Sequence, residues 1–217
     1  MEALNFLSDC ELSKMSDASS TVFIIDDDDS VRKSITLLLH AKGYTTESYK
    51  DSSDFLENLD YTKTGCLILD VHLVGESGFD LQKKLLEISS HLPIIFISGK
   101  GDIPMTVKAL KNGALNFLTK PFDVNALLAA IEEAIALSLK IKSENEDHKK
   151  TKSLFETLTE REMDVFRLVI TGMLNKQIAS ELNISIYTVK LHRGKITEKL
   201  GVKSVAELVK LAEMIEI

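Results

Sequence analysis

Between residues 21 and 139 this chain alternates five times between a short apolar run and a longer stretch of helical period. The runs are TVFIID (21–26), YTTESY (44–49), CLILD (66–70), PIIFIS (93–98) and ALNFLT (114–119). Four of them are brief, apolar and end abruptly in polar residues, as buried strands do; 44–49 is more polar and suits a sheet edge. The stretches 31–42, 53–59, 79–88, 104–111 and 125–139 carry apolar residues at helical spacing. A strand then a helix, repeated in this way, leaves few possible folds. The alternation predicts an α/β, doubly wound, five-stranded and mainly parallel sheet over 21–140, with helices on both faces.

In such a sheet every C-terminal strand end opens on one edge, where ligands collect. Strand one ends in Asp26-Asp27, strand three in Asp70, strand four in Ser98 and strand five in Thr119-Lys120-Pro121. Topology alone therefore gathers three acids, a hydroxyl and an ammonium in one crevice. The stretch FIIDDDDS (23–30) holds four adjacent aspartates with nothing nearby to neutralise them. Crowded hard oxygen donors suit Mg²⁺, which takes few carboxylates together with waters and phosphoryl oxygens. A carboxylate beside such a cation is a nucleophile towards phosphorus and forms an aspartyl-phosphate. Mg²⁺ and Lys120 would offset charge on the transferring group. The plainer alternative has the acids favouring a helix N-terminus, where each gains ~0.3–1 kcal/mol from the helix dipole. It suits Asp28 and Asp29; for Asp26 and Asp27 it leaves the matching endings of three other strands unexplained.

With FIIDD, LILDVHLVGESG, IIFISGKGD and NFLTKPF in place, residues 21–140 resemble the receiver domain of bacterial two-component response regulators. The resemblance implies that Asp70 is the phospho-acceptor. It implies Mg²⁺ on Asp26, Asp27, Asp70 and the backbone carbonyl of His72, with Ser98 as the conserved hydroxyl and Lys120 as the lysine that binds the phosphate. Phe117 takes the place of the aromatic switch residue, and a cis peptide is expected before Pro121. The face formed by the fourth helix and fifth strand is expected to change on phosphorylation and to dimerise or dock. Val74 stands where the family usually has a proline, whereas Gly78 keeps its usual place. His40, His72 and His91 neighbour no nucleophile in a catalytic spacing, so His72 is expected to contribute only backbone.

After residue 140 the apolar period fades into mixed charge, SLKIKSENEDHKKTKS at 138–153, and a linker is expected over 141–156. From 157 to 217 the pattern becomes all-helical. TERE (159–162) and SVAE (204–207) read as capping boxes, and Gly172 and Gly201 as helix stops. Four short helices follow, at about 159–171, 175–182, 186–199 and 204–214, with a tight NIS connection that marks a helix-turn-helix. The chain carries −7 overall, from 26 basic and 33 acidic residues. Residues 21–140 hold 12 basic against 17 acidic residues, whereas 158–217 hold 9 against 8. Within 185–203, Lys190, Arg193, Lys195, Lys199 and Lys203 face only Glu198. Ser185 is a plausible N-cap, and Ile186, Val189 and Ile196 share an inward face. A helix with one apolar stripe and cations elsewhere, after a tight turn, fits a major-groove reader; a solvated basic face is the alternative.

Residues 156–214 resemble the LuxR-type helix-turn-helix, matching at Glu162, Gly172, Lys176, Ile178, Ala179, Leu182, Ser185, Thr188, Val189, His192, Lys199 and Leu200. Receiver plus this module is the pattern of NarL/FixJ-type response regulators. The resemblance implies base contacts from Lys190, Leu191 and Arg193, and phosphate contacts from Lys176, Thr188 and Lys195 beside the cap Ser185. Gly194 departs from the family, which often reads a base there, and costs ~1 kcal/mol of helix propensity. The implied partners are a sensor histidine kinase, double-stranded DNA and a second copy of the chain on phosphorylation.

A turnover phosphohydrolase with an aspartate nucleophile would usually carry a second acid two residues on, and His72 stands there. A nucleotide-binding reading finds no glycine-rich cradle after strand one. An interaction switch without DNA binding stays open on Gly194 and the weak net charge of the tail. Residues 1–20, with acids where a signal peptide wants bases, read as a short arm. Cys10 and Cys66 are too few for a disulfide framework, and no run approaches the ~20 apolar residues of a membrane span. A soluble, cytoplasmic protein is expected.

Overall fold

The computed structural model describes residues 20–60, 62–88, 90–100 and 103–215; of the expected arm, all but Ser20 lie outside them. Five strands, β1 (Thr21–Ile25), β2 (Thr45–Tyr49), β3 (Gly65–Asp70), β4 (Ile94–Ser98) and β5 (Asn116–Thr119), pair in parallel in the order β2-β1-β3-β4-β5. The polar strand β2 stands at an edge, as its composition predicts. The helices α1 (Asp29–Ala41), α2 (Ser52–Asn58), α3 (Gly78–Glu87), α4 (Ile103–Lys111) and α5 (Val124–Glu156) alternate with the strands.

Side chains alternate across a strand, so each strand serves two cores. Val22, Ile24, Cys66, Ile68, Ile95 and Ile97 face α1 and α5, meeting Ile35, Leu39, Leu127 and Ile131. Phe23, Ile25, Leu67, Leu69, Ile94 and Phe96 face the other way, onto Phe55 of α2, Leu81 and Leu85 of α3 and Ala109 of α4. Burial on both faces is why these runs are continuously apolar. At Gly65 an added Cβ would stand 1.8 Å from the Thr21 carbonyl oxygen, so only glycine lets β3 begin beside β1.

The chain divides into two compact units at Lys142/Ser143. Residues 141–156, expected as a linker, are helical as the C-terminal part of α5. The second unit contains α6 (Glu160–Ile170), α7 (Asn175–Glu181), α8 (Ile186–Leu200) and α9 (Val205–Met214). Its core is Phe155, Val165, Phe166, Val169, Ile178, Val189, Ile196, Leu200 and Leu208. Thr159 and Glu162 form the predicted capping box at the start of α6. The α7–α8 turn passes through Asn183 at φ 53°, and Ser185 caps α8 by accepting from the Thr188 amide at 3.0 Å. Ile186 departs from expectation: on the first turn of α8 it is 44% exposed and lies outside the core that holds Val189 and Ile196. No helix among the described residues is long and apolar enough to cross a membrane.

Candidate functional site

The C-terminal edge of the sheet carries the charges. Asp26, directly after β1, is fully buried; Asp70 closes β3 and is buried; Asp27 is exposed. One oxygen from each of the three carboxylates lies within 4.8 Å of the others. Lys120, just beyond β5, places Nζ 2.6 Å from Asp26 Oδ2 and 2.9 Å from Asp70 Oδ2. The Lys120 amide donates to the Ser98 carbonyl at 2.7 Å, which brings the end of β4 to the same rim. All four elements named by strand-end reasoning therefore meet in one place.

The electrostatics there are unbalanced. Burial raises the Asp26 carboxyl above its ordinary value, against the hydrogen bonds it accepts from Lys120 and from the Asp28 amide. Burial also works against the Lys120 ammonium, but hydrogen bonds to Asp26 and Asp70 outweigh it and hold the lysine above its usual range. Three carboxylates against one ammonium leave surplus negative charge on hard oxygen donors, a set that fits Mg²⁺. Asp28 and Asp29 follow the plainer reading. Asp28 is the N-cap of α1, accepting from the Ser30 amide at 2.8 Å, and Asp29 pairs with Arg32 and Lys33 at 2.9 and 2.6 Å.

The His72 amide donates to Asp70 Oδ1 at 3.2 Å. Ser98 is fully buried, its hydroxyl engaged with the Lys100 backbone at 3.2 Å. Phe117 in β5 is half-buried, its ring centroid 6.3 Å from Phe96, which in turn lies 5.1 Å from Phe79. The Lys120–Pro121 bond is cis. Sequence reasoning missed Arg32, whose guanidinium donates to the Asp26 carbonyl at 2.5 Å while paired with Asp29. Its place three residues past Asp29 on a helix was the available signal.

In the helical unit Lys176, Lys190, Leu191 and Lys195 are exposed, Thr188 is half-buried, and the exposed Ser185 hydroxyl lies 2.8 Å from Thr188 Oγ1. Arg193 is placed differently from a free base reader: Nη1 donates to Asn175 Oδ1 at 2.8 Å, tying α8 to the start of α7. No periodicity announces that pairing across 18 positions. Tyr187, 77% exposed on the first turn of α8, also escaped sequence reasoning. In the same unit Lys199 Nζ meets Glu162 at 2.6 Å and the Thr157 carbonyl at 2.8 Å.

Residues 22–132 match the response regulator receiver domain, and residues 156–212 match the bacterial regulatory proteins of the luxR family. The response regulator protein TodT of Pseudomonas putida is 43% identical over 94% of this chain and 90% of its own length. The chain belongs to the NarL/FixJ-type response regulators. FixJ of Rhizobium meliloti is 35% identical over 88% of the chain and 94% of its own length. Among solved structures, the response regulator StyR superposes with a TM-score of 0.81 at 47% identity, covering 90% of this chain and 98% of its own. This response regulator thus pairs a receiver domain with a LuxR-type DNA-binding domain, the composition of transcriptional regulators controlled by phosphorylation.

Proposed function

We propose that Asp70 is the phospho-acceptor and that a sensor histidine kinase is the donor. An Asp70 oxygen attacks phosphorus while the bond to the donor imidazole nitrogen breaks, and the leaving nitrogen keeps the electron pair. The observation that carries this reading is the junction of Asp26, Asp70 and Lys120 at one rim, within hydrogen-bond distance across 94 positions of sequence. Asp26, Asp27, Asp70 and the His72 carbonyl would hold Mg²⁺, which supplies charge neutralisation at the phosphoryl oxygens. Lys120 offers its ammonium to the same oxygens, and Ser98, at the end of β4, offers a hydroxyl. The aspartyl-phosphate is self-hydrolysed, and no separate substrate is turned over.

Phe117 joins the rim to the outer face. A phosphoryl group adds charge and acceptor oxygens that draw in Ser98 and leave space for the ring to follow. That face is already apolar: Ile103, Val107 and Leu110 follow one another at helical spacing on α4, and Ile103 is 81% exposed. A second copy covering this stripe gives a dimer whose two recognition helices reach half-sites related by a dyad. Lys190 and Leu191 meet bases, with Lys176, Thr188 and Lys195 on phosphates and Ser185 fixing the helix start. Arg193 reaches DNA only by leaving Asn175. Kinase output and promoter DNA place the protein's work in the cytoplasm.

The test treats wild type and Asp70→Asn with a small acyl phosphate and Mg²⁺. Wild type gains the mass of one phosphoryl group, dimerises and captures a limited set of genomic fragments with steep salt dependence. Asp70→Asn gains nothing and stays monomeric. Uptake and dimerisation by Asp70→Asn equal to wild type sinks the scheme.

A further inference from the structure

The loop 71–77 joins the acceptor to α3; its start is bonded to Asp70, and its end is bonded to Val71 and packs against the Asp70 backbone. At the start, the His72 amide holds Asp70 Oδ1. At the end, the Gly78 amide donates to the Val71 carbonyl at 2.9 Å, and a Cβ on residue 78 would stand 2.3 Å from the Asp70 carbonyl oxygen. Only glycine permits that approach. Leu73 packs against the core and residues 72 and 77 form an antiparallel bridge, whereas at the tip Val74 is 79% exposed and Gly75 sits at φ 84°, a conformation glycine adopts without steric cost. No ring fixes φ at position 74.

One side chain near the tip reaches two other elements. Glu76 accepts from the Ser52 hydroxyl, and its other carboxylate oxygen lies 2.5 Å from Lys84 Nζ. Ser52 is the buried first residue of α2, and Lys84 belongs to α3. The Glu76 side chain is only 21% exposed, and the Lys84 and Ser52 hydrogen bonds hold its carboxyl below the ordinary value. Phe55 of α2 and Leu81 and Leu85 of α3 are also packed in the core, so each helix has an anchor besides this tie. The tie joins the loop to both of them.

We propose that Glu76 is a positioning residue for phosphoryl transfer at Asp70. By latching the loop to α2 and α3 it holds the His72 backbone and, through the His72 amide, the Asp70 carboxylate in the geometry of attack. The inference rests on Asp70 being the acceptor. A reacting group displaced by about 1 Å loses rate by up to ~100-fold, so even a partly loosened loop is measurable.

The experiment follows acyl-phosphate-driven phosphorylation of the full chain by intact mass, at saturating Mg²⁺. It compares wild type, Glu76→Ala, Glu76→Gln, Asp70→Asn and the double variant Val74→Pro with Glu76→Ala. Thermal unfolding and the half-life of the phosphorylated form are measured alongside. Glu76→Ala is expected to slow uptake about tenfold with little change in melting, and Glu76→Gln, which keeps an acceptor for Ser52, to fall between. Val74→Pro, which restrains the tip by a different route, is expected to restore most of the rate to Glu76→Ala. Uptake and half-life unchanged in Glu76→Ala overturn the proposal. So does a slow Glu76→Ala that melts early and is not restored by Val74→Pro, which marks a purely structural tie. Uptake by Asp70→Asn as fast as wild type removes the acceptor reading itself, a separate failure visible in the same experiment.

Discussion

Glu162 in the helical unit and Asp26 in the sheet unit are both buried carboxylates, each 2.6 Å from a lysine ammonium, yet they depart from ordinary acidity in opposite directions. Glu162 shares Lys199 with no other carboxylate among the described residues, and it also accepts from the Thr159 amide and meets its hydroxyl, so its pKa falls to about 2. Asp26 shares Lys120 with Asp70, beside the further charge of Asp27, and burial prevails. One arrangement is closed: acid, base and hydrogen bonds complete each other, as a structural pair does. The other is open, with more acid than the chain neutralises. A charge imbalance that the fold retains in its interior points to something supplied from outside.

The same isosteric change should act oppositely at the two sites. Glu162→Gln keeps the capping geometry, since glutamine serves at that position too, and removes the charge. A fall from 4.5 to about 2 corresponds to ~3 kcal/mol. Lys199 is about one-third exposed, so solvent screening brings the expected loss in the helical unit to ~2 kcal/mol. Because the folded pKa is depressed, this contribution is complete above about 4.5 and is lost as pH falls towards about 2. The gap between wild type and Glu162→Gln therefore closes across that window. Asp26 has the reverse linkage: its pKa is raised, so its contribution is present below 3.8 and is lost as pH rises through the folded value. Asp26→Asn is expected to stabilise the metal-free sheet unit at neutral pH. Hydrogen exchange resolved to each unit, under mild denaturant, reads both changes. Destabilisation by Asp26→Asn as large as that by Glu162→Gln would break the contrast.

Mg²⁺ sharpens it. At ten times its dissociation constant the ion should stabilise the sheet unit by ~1.4 kcal/mol and leave the helical unit unmoved. Asp26→Asn and Asp27→Asn should each weaken the response, whereas Glu162→Gln should not alter it. A titration followed by the same unit-resolved exchange checks this, and an equal gain in both units would show that the effect is general ionic strength.

Much of the contrast could be read before any geometry was known. Asp26, Asp70, Ser98 and Lys120 were legible because a parallel sheet sends all its strand ends one way, so four separate stretches of sequence imply one rim. Glu162 was legible as a capping residue and Lys199 as a matching position of the helix-turn-helix, but their pairing was not, since it spans 37 residues and two helices. Ile186 shows the limit of periodicity, which assigns a residue to a face and says nothing of how far along the axis the core extends. The helical character of 141–156 was hidden by its charge: mixed acids and bases suit an exposed helix as well as a flexible linker. Arg193 with Asn175, and Glu76 with Ser52 and Lys84, join side chains whose neighbourhood exists only after packing.

The helical unit has its own uncompensated feature, in the backbone instead of in charge. Gly194 lies in the interior of α8, where glycine is unfavourable by ~1 kcal/mol against alanine. Nothing in the fold requires it: a Cβ there meets no atom within 4 Å. As with the surplus acids, a local cost without internal compensation suggests a contact still to come, here the close approach of DNA to a helix that exposes Lys190 and Leu191 one turn earlier. Gly194→Ala should therefore raise the stability of the helical unit by up to ~1 kcal/mol and weaken binding to the captured DNA fragments. Denaturation and fluorescence anisotropy at fixed salt measure the two effects separately. If alanine improves both stability and affinity, the glycine serves no contact, and the open character assigned to the acid rim has no parallel on this helix.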